Sequence, residues 1–434
     1  MVSVLLCLAL LVLLIAWLRL NPFVAFLIAA IAGALMLGLS PDAIVSSLER
    51  GMGALLGSLA GILCLSAMFG KLIAESGAAL QIGRSLVRRA GERRIPWALS
   101  MTGFIVGIPL FYNVGFVLLV PLVFALAAQT RLSPIYLAVP LLAALSVTHG
   151  FLPPHPSPTA IVPQFHADMG QTILLGLIVA VPAMIIAGPL LARFLRNVPS
   201  RPLAAFQVAP VAEEALPKAS TSFIVALLPI ALIAAASLSA YGLAPDSPLR
   251  PWLALAGNPL VVMLVALLVA VWALCPGKDL RKVAAGLGSA IGDIAPVLLI
   301  IAGAGALKQV FVDSGIDGKL ATVMHASAVN PLILGWSTAA LIRVCLGSAT
   351  VAGLTAAGVL APLVAANPAI NPNLMVLAVG AGSVFCSHVN DSGFWMCKEY
   401  FNLSMKDTFR TWTLMESLVG IVGLVGVLVL DVFV

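Results

Sequence analysis

The segment 387–400, "SHVNDSGFWMCKEY", brings His388, Asn390, Asp391 and Ser392 together at the end of an apolar, glycine-rich run, "NLMVLAVGAGSVFC". That run stops well short of the roughly 20 apolar residues that cross a bilayer. The helix is therefore expected to break at membrane depth, where a carboxylate is costly and by default functional. A second break is expected at 148–158, "THGFLPPHPSP", whose prolines interrupt another apolar run. Each restarting half-helix would expose unpaired N–H groups and a positive dipole, which suit an anion. Around the breaks stand Thr148, His149 and Gly150, then Ser387, Asn390, Ser392 and Gly393. Two further pieces, "PLFYNVG" (109–115) with Asn113 and "LGSAT" (346–350) with Ser348 and Thr350, have the composition of turns inside apolar stretches. Hydroxyls, amides and approachable backbone together fit a small polyhydroxylated carboxylate. Asp391 is the expected proton carrier, with His388, three positions earlier, able to exchange a proton with it. His149 is its counterpart in the first break and a second candidate.

Other polar residues have less specific readings. Arg343 either snorkels to an interface or pairs with a carboxylate. Asp293 lies early in a span, and Tyr112 and Phe111 read as packing residues. Asp168 and His166 read as outer-surface loop residues. His149 and His388 have no Glu at H-E-x-x-H spacing, so no metal site, cofactor or enzymatic activity is expected. The six cysteines lie singly in or beside apolar runs, as small core residues do.

The elements that must hold these residues are membrane helices. Of 434 residues 61% are hydrophobic and 9% charged, a balance that excludes a soluble globular domain. The N-terminal run lacks a basic n-region and reads as a retained span. The net charge of +6 needs no nucleic acid, because Lys and Arg collect in cytoplasmic loops.

The chain also repeats itself. Asn21-Pro22 opens one apolar run and Asn258-Pro259 another, roughly 237 residues on. Gly51, Gly53 and Gly57 recur as Gly286, Gly288 and Gly292, Glu75-Ser76-Gly77 as Asp313-Ser314-Gly315, Pro121 as Pro362, and His149 as His388. The predicted fold is an all-α polytopic membrane protein of two inverted-topology repeats, 1–195 and 222–434, joined by a Pro-rich cytoplasmic linker, 196–221. Each repeat has about five transmembrane helices, with spans in the first at 2–20, 22–39, 52–75, 132–147 and 171–195. To these is added a re-entrant hairpin, at 95–129 and 330–367. With "GRSLVRRAGERR" (83–94) in the cytoplasm, only Arg50, Arg250 and Lys319 of the loop cations fall outside. Inverted repeats with broken helices and hairpin tips at the midplane imply a secondary transporter.

The stretches "FGKLIAESGAALQIGRSLVRRAG", "GIPLFYNVGFVLLVPL", "THGFLPPHPSPTAIV" and "SHVNDSGFWMCKEYFNLSMKDTFRTWTLMESLVGIVGL" resemble the gluconate:proton symporter (gluconate permease) family, within the ion transporter superfamily. The resemblance runs from about residue 20 to the C-terminus. It implies proton-coupled uptake of gluconate or a related small hydroxy acid across the bacterial inner membrane, by a transport unit moving elevator-fashion against a scaffold. It also implies, by analogy, a homodimer through the first three spans of each half. Members for D-serine and glycerate leave the substrate open within the family, and sodium-coupled di- or tricarboxylate carriers are the alternative outside it.

Overall fold

The computed structural model describes residues 2–91, 94–200, 216–241, 243, 247–275, 277, 279–315 and 329–434. Most of the 196–221 linker, with Arg201, and Arg93, Lys278 and Lys319 of the charge count, fall outside them. The described residues are helical, without strands, and eight of their helices are long and apolar enough to cross a membrane.

The first half runs α1 (Val2–Val12), α2 (Pro22–Met36), α3 (Pro41–Glu75), α4 (Ala78–Ala90), α5 (Ile95–Gly107), α6 (Tyr112–Thr130), α7 (Pro134–Phe151), α8 (Pro156–Gln164) and α9, which extends through a π-turn over Met169–Phe194. The second runs α10 (Ala219–Tyr241), α11 (Arg250–Ala256), α12 (Pro259–Leu274), α13 (Leu280–Asp313), α14 (Pro331–Leu346), α15 (Ala349–Ala366), α16 (Pro372–Val384), α17 (Ser392–Tyr400) and α18, Met405–Leu430 with a π-turn at Phe409–Thr413.

Local chemistry sets the boundaries. Asn21 and Asn258 cap α2 and α12 alike, each side chain accepting from the N–H two residues on, with proline at the first helical position. The span expected to start at 52 starts at Pro41 instead, because Ser40 caps it and Pro41 suits its first turn. At 35 residues, α3 is about 52 Å long, well beyond the hydrocarbon core.

Helices α3 and α13 form the most extensive pair, with α2 on α13 and α12 on α3. They run antiparallel: Ser47 and Arg50 bond Asp313 at one end (2.5 and 3.0 Å), and Lys71 reaches Ser289 (2.5 Å) and Asp293 (3.7 Å) towards the other. They cross at Gly51 and Gly305, where a Cβ on either would overlap the other's backbone carbonyl, so only glycine permits this approach. A second group is formed by α5 on α7, α14 on α16, and α16 and α9 on α18, while α1 lies on α2 and α10 on α12. Helix α15 touches both groups, and Lys308 of α13 donates to the Gln164 carbonyl at the end of α8 (3.2 Å).

Both expected hairpin stretches are interrupted, at 108–111 between α5 and α6 and at Gly347-Ser348 between α14 and α15. The expected breaks are present too. Residues 152–155 interrupt the span Pro134–Gln164, and residues 385–391 separate α16 from α17.

Candidate functional site

The four interruptions meet around one cavity of about 590 Å³. Residues in the first turns of α6, α8, α15 and α17 line it: Tyr112, Pro156, Ala349 and Ser392 among them. Each helix start brings roughly half a unit of positive charge, and their convergence favours an anion.

Arg343, on the last turn of α14, supplies the full positive charge. It is 3% exposed, and its Nη2 donates to Asp391 Oδ2 at 2.5 Å. Its Nε and Nη1 have no hydrogen-bond partner among the described residues. Asp391 is accounted for as an acceptor on both oxygens. Oδ2 also takes the Ser387 hydroxyl (2.5 Å), and Oδ1 takes the Gly393 N–H (3.0 Å), capping α17. Ser387 in turn accepts from Trp412 Nε1 (2.8 Å). Gly347 ends α14 with φ +74°, and the Asn390 backbone and side chain lie where its Cβ would be. A side chain there would force the hairpin tip away from the break. Asn390 completes that joint, its Nδ2 donating to the Val344 carbonyl (2.8 Å).

The first-half wall is aromatic and neutral in its contacts. Tyr112 meets the rings of Trp412 (5.6 Å between centroids) and His149 (6.3 Å). His149 packs against His155 (5.2 Å), whose Nε2–H donates to the Gly107 carbonyl at the end of α5 (2.7 Å). That bond ties the break to the hairpin. His149 Nδ1 is buried and has no partner among the described residues. Below this wall Glu416 of α18 lies buried at 3% exposure, its Oε1 accepting the Ser146 hydroxyl.

Of the residues expected from sequence, Asn113, His149, Ser348, Thr350, Asn390, Asp391, Ser392 and Gly393 line the cavity. Four lie behind or beside the lining. Thr148 is fully buried, its hydroxyl donating to the Leu145 carbonyl (2.9 Å), and Gly150 is buried between α7 and α16, against Gly380 and Val384. Ser387 stands behind Asp391 as its hydrogen-bond donor. His388 meets Asp391 through its carbonyl, which accepts the Asp391 N–H (2.9 Å). The break turns Asp391 towards α14, where it forms an ion pair with Arg343, the second of the two readings of that arginine. Sequence reasoning missed Glu416, Ser146, Trp412 and His155. A lone carboxylate in the apolar run of α18 was a readable signal for Glu416; nothing comparable marks the other three.

Among the described residues, eight helices long and apolar enough to cross a membrane, with interruptions around a polar cavity, define a multi-pass membrane protein. The GntP family permease model matches residues 1–433, and the chain belongs to that family. It is accordingly a multi-pass inner-membrane permease. It is 44% identical to a high-affinity gluconate transporter of Escherichia coli, covering 97% of each chain. To the L-idonate transporter of the E. coli Gnt-II system it is 43% identical, over 98% of this chain and 97% of the relative. A gluconate permease of Bacillus subtilis is also 43% identical, over 97% of both. In fold the chain is similar to the YdaH transporter of Alcanivorax borkumensis (TM-score 0.62, 17% identity, covering 95% of this chain and 97% of that one). It is likewise similar to MtrF of Neisseria gonorrhoeae (TM-score 0.63, 12% identity, 93% of each).

Proposed function

We propose that this permease carries gluconate or a closely related small hydroxy acid into the cell by proton symport. The observation that carries the reading is Arg343, a buried guanidinium with two unmet nitrogens in a cavity ringed by four helix starts. One such group suits one carboxylate, and Arg binds carboxylates through a two-point fork. Asp391 holds the guanidinium in place, while Asn113, Ser348, Thr350, Asn390 and Ser392 offer donors and acceptors to the hydroxyls along the substrate chain. A six-carbon polyol acid fits a cavity of this size.

The reading includes alternation between the two membrane faces. The interrupted helices and the helices packed on them form the moving unit, and α2, α3, α12 and α13 the support, in an elevator-type motion of two repeats of opposite orientation.

The test is uptake of labelled gluconate into proteoliposomes with an imposed pH gradient. Accumulation that a protonophore collapses supports the reading. Uptake that follows sodium at constant pH points to a sodium-coupled carrier instead. Similarity to an L-idonate transporter makes idonate the first competitor to assay, followed by D-serine and glycerate.

A further inference from the structure

We propose that Glu416 is the proton-binding residue of the transport cycle, a role that rests on the symport reading above. The cavity wall holds Arg343, Asp391 and Glu416, while Asp293, at the open side, is largely exposed and has Lys71 3.7 Å away. Arg343 and Asp391 offset each other at 2.5 Å. The Asp391 carboxylate is committed to three donors, Arg343, Ser387 and the Gly393 N–H, so every hydrogen bond that carboxylate makes is one it accepts.

Glu416 is placed differently. It is as buried as Arg343, and among the described residues its carboxylate accepts one hydrogen bond, from the neutral Ser146 hydroxyl, and has no cation paired with it. The other titratable groups within electrostatic reach are Tyr112 of α6, Arg343 of α14, Asp391 at the break and Cys397 of α17, with His149 of α7 on the same wall. Of these only Arg343 is a fixed cation, and its partner is Asp391.

Charge then decides the sequence of events. A substrate monoanion entering beside Arg343 would leave two uncompensated negative charges in the cavity, its own carboxylate and Glu416. One proton on the free Oε2 of Glu416 removes the second, so the loaded site carries one net charge instead of two. Release of substrate on the far side removes the reason for that proton, which leaves with it. Each monoanion therefore travels with one proton, and the cargo is neutral overall.

The position of Glu416 within its helix supports the assignment. It lies one turn beyond Trp412, on the same face of α18, and the π-turn at Phe409–Thr413 sets Trp412 against both Ser387 and Tyr112. The carboxylate thus lies one helical turn from a ring that touches both the charged break and the first-half hairpin.

The experiment compares wild type, Glu416→Gln, Glu416→Asp and Ser146→Ala in proteoliposomes. Gluconate counterflow, accumulation under a pH gradient of about one unit, and gluconate-driven internal acidification are recorded for each. One proton per substrate drives about tenfold accumulation under that gradient. Glu416→Gln should exchange gluconate near the wild-type rate, equilibrate without accumulating, and move no protons. Glu416→Asp should recover part of both gradients. Ser146→Ala should keep exchange and shift the pH profile of uptake. Tenfold accumulation by Glu416→Gln overturns the proposal. So does folded Glu416→Gln that gives no thermal shift with gluconate, since Glu416 would then serve substrate binding. If Glu416→Gln does not fold, an unchanged pH profile in Ser146→Ala overturns it. Failure of the wild type to accumulate gluconate strikes the symport reading itself.

Discussion

The two halves contribute matching pieces to the cavity, a hairpin tip and a break each, but opposite chemistry. The second-half pieces are charged and linked: Arg343, Asp391, Ser387 and Trp412 form one hydrogen-bonded chain from α14 to α18, with two guanidinium nitrogens left over. The first-half pieces are aromatic and loosely bonded: Tyr112, His149 and His155 touch ring to ring, and His149 Nδ1 has no partner among the described residues. The difference teaches that pieces of matching layout need not carry matching chemistry. On the proposed reading, one half fixes the anion, and the other leaves polar atoms free to be satisfied by hydroxyls.

The largest expected effect tests the charged half. Arg343→Met removes the anion's partner and strands Asp391, a change that for buried pairs costs roughly 3–5 kcal/mol. Gluconate binding should fall by more than about 100-fold, measured by counterflow or thermal shift. The double variant Arg343→Met/Asp391→Asn should regain folding without regaining binding. Should it bind normally, the anion site lies elsewhere.

Gly347→Ala comes next. It combines a left-handed backbone costing about 1–2 kcal/mol with displacement of Asn390, so affinity and thermal stability should both drop. A well-folded variant of unchanged affinity would show that the hairpin and break need not touch. In the neutral half, His149→Ala should raise KM about tenfold with little change in kcat, the cost of roughly one hydrogen bond and a ring contact. An effect as large as that of Arg343→Met would end the proposed division between halves. The smallest effect is expected for Asn113→Ala, at the exposed rim, a few-fold in KM at most and greatest for substrates with the most hydroxyls.

Much of this was readable in the residues. An apolar run that ends early on polar residues can only be a break, and a 35-residue apolar stretch with "GIPLFYNVG" in its middle can only turn back or split. What sequence could not fix was direction. Arg343 could as well have snorkelled, because α14 is too uniformly apolar for its spacing to mark an inner face. His388 and Asp391, three apart, would share a face on a helix, but at a break that spacing no longer sets direction, and Asp391 meets Arg343. Glu416 was legible in principle, and became meaningful only beside Ser146, 270 positions away.

Lys308 carries a further consequence. Its ammonium, on the supporting helix α13, holds the last carbonyl of α8, whose other end opens onto the cavity. On the proposed elevator-type motion, travel of α8 along α13 would break that bond. Lys308 would then act as a catch on the loaded site, and Lys308→Met should release it, read as faster gluconate exchange in proteoliposomes.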